Sequence, residues 1–297
     1  MGARSVMEGS LRQAGAQLRV AVQLVDATTG AHLWAETYNR PFRPDEIFAL
    51  QDDLVPRIVS TVADSFGILP HSMSEALRSR DPEQLSPYEA RLLTFGYLAR
   101  LTAEEHAAVR DALERAVQEA PGNADGLALL ADIYTDEHKL GFNPRPDPLG
   151  RALAAARRAV SAAPSNHLAY MALAEALFFR RELQAFRNAA DRAVALNPMD
   201  GGTVAYMGML MAFAGDWDHG LALVQKATEL NPHAPGWYRL GPFYNAYRKQ
   251  DDRAALDLAL MVNVPGYFFA QAALAAAYGQ LGEREAAQGG RCGSCLR

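Results

Sequence analysis

Four prolines recur at a nearly constant interval in the second half of the chain. Pro164, Pro198, Pro232 and Pro265 end the look-alike segments AVSAAP, AVALNP, ATELNP and LMVNVP, at spacings of 34, 34 and 33 residues. A period of this length is typical of a repeated pair of antiparallel helices, which cannot bury its apolar face alone. Such pairs stack into a solenoid whose concave side binds partners. The spacing therefore predicts a mainly α-helical solenoid.

The apolar pattern inside the repeats supports this register. When each closing proline is counted as position 32, small residues fall mostly at positions 8, 20 and 27, and larger ones at 4, 7, 11, 17 and 24. Small residues let two helix backbones approach closely, and large ones fill the space between neighbouring units. One unit carries extra residues, which fall in the proline-rich stretch from Leu140 to Pro148. We expect this insertion to lie between helices, because prolines interrupt them.

A different pattern precedes the repeats. β-branched and apolar runs separated by turn residues predict three strands, at residues 5–11, 18–25 and 32–38. Pro44-Asp45-Glu46 then opens an amphipathic helix that ends before Gly67. The prediction is a small α+β piece, a three-stranded antiparallel meander plus one helix. Because the second strand is apolar on both faces, we expect the exposed sheet edge to pair with further chain or with a second copy in a homodimer.

Composition divides the chain into four predicted segments. They are a partial α+β domain at residues 1–70, a polar linker at 71–87, a solenoid of about five repeats plus a truncated last one at 88–288, and a disordered tail at 289–297. The linker contains prolines and few apolar residues, whereas the helical pattern continues from Tyr88 onward.

Charge and hydropathy exclude several classes of partner. The net charge is −5 and no run of five or more Lys or Arg occurs, which argues against nucleic acid as a partner. The first residues lack the apolar core of a secretory signal. The uncharged stretch from Leu258 to Gly279 is interrupted by Asn263, Pro265 and Gln271, which disfavours a membrane-spanning helix. We expect a cytoplasmic protein without membrane contact.

No catalytic motif stands out. The sequence has no GxSxG, GxxxxGK[ST] or HExxH pattern, and its seven histidines include no i,i+4 pair. Cys292 and Cys295 form a CxxC, but zinc requires four ligands, and a redox CxxC belongs at a helix N-terminus on a βαβ scaffold. We interpret the pair as part of the disordered tail, with a metal or redox role as the alternative. We therefore expect no catalytic residue, no metal, no cofactor and no enzymatic activity.

The repeat register directs one set of side chains toward the concave side. This set begins acidic and becomes aromatic and methionine-rich, a composition that marks interaction surfaces when exposed. The predicted partner-binding residues are Asp125, Asp132, Asp136, Met171, Glu175, Phe178, Phe179, Met209, Phe213, Tyr238 and Phe269. The alternative is that some of them pack against other parts of the chain. The partner expected from this surface is a protein or peptide segment, of basic and amphipathic character.

Two family resemblances follow from these patterns. The phased prolines and the small–large alternation from Tyr88 to Gln288 resemble the tetratricopeptide repeat superfamily, which implies an α-solenoid and a protein-binding role. The segment V-x-EGS-L-R-x-x-G-x-x-L-R-V-x-x-Q-L-V-D-A-T-T-G-A-H-L-W-A-E-x-Y, from Val6 to Tyr38, and IFALQDDLVPRIV, from Ile47 to Val59, together resemble the TolB-like (FlgO-like) domain.

The second resemblance carries its own functional expectation. In bacterial multidomain proteins the TolB-like module stands between an output domain, often a class III adenylate cyclase and sometimes a winged-helix DNA-binding domain, and C-terminal tetratricopeptide repeats. It implies that this chain is a C-terminal regulatory fragment of a class III adenylate cyclase or, alternatively, of a winged-helix transcriptional regulator. The α/β half that precedes the EGS strand in that family has no counterpart in this sequence, and no cyclase residue carries over.

Overall fold

The computed structural model describes residues 3–64, 67–78, 80–81, 84–231, 234–262 and 268–289. Strands occupy the beginning of the chain, and helices follow to its last described residue. Pro232, Pro265 and the cysteines of the CxxC lie outside the described residues. The predicted disordered tail at 289–297 also lies outside them, apart from its first residue.

The N-terminal strands form an antiparallel meander. β1 (Ser5–Ala14), β2 (Gln17–Asp26) and β3 (His32–Pro41) pair in the order β1-β2-β3. The β1–β2 hairpin turns tightly at Gly15, whose φ of 58° suits a residue without a Cβ. Leu18, Val22 and Leu24 of β2 are buried, whereas every β1 residue after Ser5 is exposed. Among the described residues, the outer edge of β1 has no paired strand.

Two helices connect the sheet to the repeats. α1 (Ile47–Ala63) is tied to β3 by an ion pair between Arg40 Nε and Asp53 Oδ2 at 2.9 Å. Its end reaches the repeats, where the hydroxyl of Thr61 donates to Asn231 at 3.4 Å. α2 (Ile68–Glu75) crosses the boundary between the predicted first domain and the predicted linker, and it packs on the first repeat helix.

The remaining helices form consecutive antiparallel pairs. Within the described residues the pairs are α3 (Pro87–Arg100) with α4 (Ala103–Glu119), α5 (Ala124–Lys139) with α6 (Pro148–Ala162), α7 (His167–Phe179) with α8 (Leu183–Leu196), α9 (Gly201–Phe213) with α10 (Trp217–Leu230), α11 (Leu240–Arg248) with α12 (Asp252–Val262), and α13 (Phe268–Gln280) with α14 (Arg284–Gly289). A 3-10 turn at Gly236–Arg239 precedes α11. The predicted fold class, a helical solenoid preceded by a three-stranded antiparallel sheet, is confirmed.

Small residues permit the closest helix contacts, as the register requires. A Cβ added to Gly208 of α9 would lie 2.6 Å from the carbonyl oxygen of Gly220 in α10, and a Cβ on Gly220 would lie 2.4 Å from that of Gly208. In earlier repeats Ala131, at position 8, and Ala159 and Ala193, at position 27, are fully buried. At these positions the two helices of a pair can therefore approach closely.

The predicted insertion separates two helices. α5 ends at Lys139 and α6 begins at Pro148, so the proline-rich residues form the loop between them. Buried Glu137 holds this loop: it accepts a hydrogen bond from the backbone N–H of Arg145 at 2.8 Å and pairs with Arg110 and Arg151. Asp147, at φ 50°, caps α6 by accepting from the N–H of Gly150 at 3.0 Å.

The uncharged stretch at residues 258–279 is divided between α12 and α13. In the part of the chain that the structure describes, none of the helices combines the length and the apolar character needed to cross a bilayer.

Candidate functional site

A cavity of about 250 Å³ opens on the side of the solenoid formed by the first helix of each pair. α3, α5, α7 and α9 line it, together with His71 of α2 and the turn before α11. Its walls are mainly apolar and aromatic: Phe95, Leu98, Ala99, Leu101, Leu129, Leu168, Met171, Met209, Pro235 and Trp237. Because alternate helices of a solenoid share one face, this lining places the cavity on the face that the repeat register predicts to be concave.

A charged cluster lies at the polar end of this cavity. Asp132 and Lys139, which lie seven residues apart on one face of α5, line the cavity with Thr203 and Tyr206 of α9. The ammonium of Lys139 lies 2.7 Å from Asp136 Oδ1 and 3.0 Å from Glu175 Oε1. It thereby bridges α5 to α7, whose neighbouring carboxylates would otherwise repel one another.

Two tyrosines satisfy further oxygens of the cluster. The hydroxyl of Tyr97, from α3, donates to Asp136 Oδ2 at 2.7 Å, and the hydroxyl of Tyr206 donates to Glu175. Burial, followed by the charge of Asp136, raises the pKa of Tyr97, so this hydroxyl keeps its proton as a donor. The cluster thus joins four of the inner helices through side chains that are largely hidden from water.

The charges of the cluster do not balance. Asp132, Asp136 and Glu175 are 5%, 0% and 0% exposed, and one oxygen of each lies within 4.8 Å of the others. Among the described residues, the one cation in ion-pair contact with this group is Lys139, which pairs with Asp136 and Glu175. Burial raises the pKa of Asp132 well above its ordinary value, and the charges of Glu175 and Asp136 add to the effect. Burial alone would lower the pKa of Lys139, but Asp136 and Glu175 raise it. Asp132 therefore holds a proton more readily than an exposed aspartate.

The carboxylate spacing also fits a metal ion in principle, because acidic oxygens within a few ångströms are suitable ligands for hard cations. The ammonium of Lys139, however, already contacts Asp136 and Glu175, where such an ion would bind. The arrangement favours an internal ion pair over a metal centre. It leaves Asp132 as the acidic group facing the cavity.

The structure brings some of the predicted groove residues together at this cavity. Asp132, Met171 and Met209 line it. Asp136 and Glu175 do not lie on the open surface where the register placed them, because neighbouring inner helices cover them and the cluster pairs them with Lys139. Their expected position as exposed acids is corrected, while a role in binding stays a prediction.

Other predicted residues lie away from the cavity. Asp125 is half-buried at the start of α5, where it pairs with Arg91 and accepts from Asn166 Nδ2 at 2.6 Å. Tyr238 is 1% exposed and packs against Trp237, so it belongs to the core rather than to an open groove. Its hydroxyl lies near Gly201, at the start of α9.

The predicted phenylalanines are scattered along the helices. Phe178 and Phe179 are half-buried at the end of α7, where their rings contact each other and the ring of Phe178 contacts that of Phe186. Phe213 is 41% exposed at the end of α9 and contacts Trp217 and Tyr244. Phe269, half-buried in α13, contacts the ring of Phe268. These rings do not line the cavity around Asp132.

Sequence reasoning missed Lys139, Tyr206 and Trp237. One signal could have identified Lys139: with Asp132 and Asp136 it forms an i, i+4, i+7 stripe on one helix face, an acid–base pattern that pairs on a helix. Tyr206 and Trp237 come from different repeats, and the sequence gives no local signal that they meet.

Two solved structures share this fold. Human IFIT1, solved as a dimer with m7Gppp-AAAA, matches with a TM-score of 0.57 and 16% identity over 74% of this chain and 52% of that one. TTC0263, a thermophilic TPR protein of Thermus thermophilus, matches with a TM-score of 0.51 and 20% identity over 65% of this chain and 98% of that one. These likenesses show the fold: the chain forms a helical solenoid similar to that of these proteins.

Sequence comparison finds a similar protein over part of the chain. No known protein-family profile matches the chain, and the TolB-like resemblance of its N-terminal segment stays a prediction. A protein of Rhizobium meliloti (strain 1021) named "Putative adenylate cyclase 3" is 33% identical over 187 residues, which are 62% of this chain. The chain spans 30% of the length of that relative.

Proposed function

We propose that this chain is a non-enzymatic interaction module that captures a peptide or protein segment in the cavity on its concave face. The observation that carries the proposal is the cavity itself, about 250 Å³ and walled by apolar and aromatic side chains. Apolar concave surfaces with a few placed polar groups are the usual form of a binding site. Met171 and Met209 add polarizable side chains that adapt to different partners.

A cavity-filling substitution tests this proposal. Ala99 is exposed in α3 and lines the cavity, so Ala99→Trp would fill its mouth without disturbing the core. The matched control is Ala185→Trp, at an exposed position of outer helix α8. Peptides selected from a displayed random library on the full chain should bind Ala99→Trp at least about tenfold more weakly than the parent, a loss of about 1.4 kcal/mol. They should bind Ala185→Trp unchanged.

Two results would oppose the interaction module. One is that no peptide is selected on the parent chain. The other is that selected peptides bind Ala99→Trp as tightly as Ala185→Trp, which would place binding elsewhere on the surface. Far-UV circular dichroism of both variants shows whether helicity is retained.

The second candidate function is a regulatory segment of an adenylate cyclase. The 33% identity over 187 residues to the Rhizobium meliloti relative favours it. In this function the chain would bind and regulate an attached or partner output domain, with no chemistry of its own. Incubation of the purified chain with ATP and Mg²⁺ should therefore yield no cyclic AMP, and measurable turnover would overturn the non-enzymatic assignment.

A further inference from the structure

The cavity combines an apolar, aromatic wall with a buried acidic side chain. Phe95, Met171 and Trp237 supply apolar and aromatic wall, and Asp132 supplies a carboxyl group that is 95% buried. A buried acid is costly unless a cation or hydrogen-bond donors compensate it. The groups around Asp132 therefore indicate whether a ligand in the cavity would have to supply a cation.

Asp132 has no ion-pair partner within the described ranges. Both ion pairs of Lys139 inside the cluster go to other acids, Asp136 on the same helix and Glu175 on α7. The hydrogen-bonding neighbour of Asp132 is Glu175, which is itself an acid. Asp132 is thus a buried acid that faces a cavity without a cation of its own.

The charge of Lys139 acts against the rise in the pKa of Asp132, but its ammonium contacts the other two acids, and the remaining titratable groups around Asp132 within the described residues supply no cation. From its own helix it faces Asp136 and Lys139, from α7 Glu175, and from α9 the Tyr206 hydroxyl, which is committed to Glu175. Tyr97 of α3 donates to Asp136. His71 of α2 also lines the cavity, and its side chain is exposed. The local excess is negative, with acids outnumbering the one lysine that pairs with them.

We propose that the cavity receives one basic side chain of the bound peptide, an arginine in preference to a lysine, with Asp132 as its counter-ion. The guanidinium group is planar and weakly hydrated, so it enters an apolar, aromatic-walled cavity at lower cost than an ammonium and can bind a carboxylate with two hydrogen bonds. Trp237 adds an aromatic surface of the kind that attracts cations. This proposal rests on the proposed peptide-binding function and names the chemistry of its partner.

Binding of a cation is also linked to a proton. Burial and the neighbouring acids raise the pKa of Asp132 well above its ordinary value, which favours the protonated acid in the free protein. A guanidinium group at Asp132 favours the carboxylate, and its arrival expels the proton into solvent. Affinity for the cation should therefore rise with pH until Asp132 is ionised in the free protein.

The test uses the full chain, an Asp132→Asn variant and an arginine side-chain analogue. Asn keeps the size of Asp132 and its hydrogen-bonding ability but cannot become negative. Asp191→Asn, at an exposed acid of outer helix α8, is the matched control. The probes are n-butylguanidinium, n-butylammonium and the neutral isostere n-butylurea, titrated by ligand-observed NMR.

We expect n-butylguanidinium to bind the parent and Asp191→Asn alike, more tightly than n-butylammonium. It should bind Asp132→Asn about tenfold more weakly, the loss of one charge-assisted hydrogen bond. Its affinity for the parent should increase with pH. The part of this pH dependence that Asp132 causes should vanish in Asp132→Asn, and any part that His71 causes should remain. Equal binding of n-butylguanidinium and n-butylurea, or equal binding to the parent and Asp132→Asn, would overturn the proposal.

Library-selected peptides separate this proposal from the proposed function. If peptides bind the parent through the cavity but share no basic position, the module stands and the cation site is wrong. If n-butylguanidinium binds through Asp132 but no peptide is selected, the cation site stands and the peptide-binding function fails. A shared arginine position whose replacement by norleucine weakens binding about tenfold supports both.

Discussion

Strand β1 and helix α9 contain similar numbers of residues but bury very different shares of them. β1 has ten residues, of which Ser5 alone is not exposed, whereas α9 buries ten of its thirteen. All members of the large buried clusters come from residues 77–277, so the sheet has a small core of its own around Leu18 and Leu24. Each repeat buries apolar side chains against the next repeat, whereas strand β1 of the sheet has no such neighbour among the described residues. Substitutions in the two regions should therefore differ sharply in cost.

The largest effect is expected where the repeats bury charge. Lys139→Met removes the one cation that bridges Asp136 and Glu175, and it leaves acids in a site with little water. Breaking a buried ion pair in this way costs about 3–5 kcal/mol of unfolding free energy. Urea unfolding followed by circular dichroism measures it. Lys226→Met, at an exposed position of α10, is the control, and equal midpoints for the two variants would contradict the role of Lys139.

A smaller loss is expected from the apolar core of the later repeats. Leu240 is 3% exposed and packs with Phe243, Leu256 and Val262, so Leu240→Ala should cost about 2–5 kcal/mol through the lost burial and the cavity left behind. The matched variant Leu260→Ala changes a leucine that is 52% exposed on α12. If both variants unfold at the same urea concentration, the assignment of Leu240 to the inter-repeat core is wrong.

The contact between Gly208 and Gly220 offers a sharper comparison inside the solenoid. Gly208→Ala places a methyl group 2.6 Å from the Gly220 carbonyl oxygen, so the helices must move apart, at about 1–3 kcal/mol. Gly241→Ala falls at the same repeat position, but its nearest new contact is an ordinary 3.6 Å to Val224. We expect Gly241→Ala to be neutral or stabilising, since alanine favours helix. Equal destabilisation of the two variants would mean that close approach is not what selects glycine here.

These positions show what could be read from the sequence. The helix pairs and the loop between Lys139 and Pro148 were predictable, because stacking imposes the same small and large residues on every unit. Residues 71–75 of helix α2 were predicted as linker, since their polar side chains give no apolar period. The burial of Asp136 and Glu175 could not be predicted from one repeat, because Tyr97, Lys139 and Tyr206 reach them from neighbouring helices. Local patterns identify which way a side chain points, not what covers it.

The smallest effect is expected on the sheet. Leu11 is 68% exposed in the middle of β1, and Leu11→Ala should change the unfolding free energy by no more than about 0.5 kcal/mol. The measurement is made at several protein concentrations, because a second copy pairing with the β1 edge would cover this side chain. In that case the cost of Leu11→Ala would grow with concentration, and sedimentation would detect a dimer in the parent but less of it in the variant. If Leu11→Ala lowered the unfolding free energy by more than about 2 kcal/mol at every protein concentration, β1 would be packed within its own chain. The proposed difference between the sheet and the repeats would then be wrong.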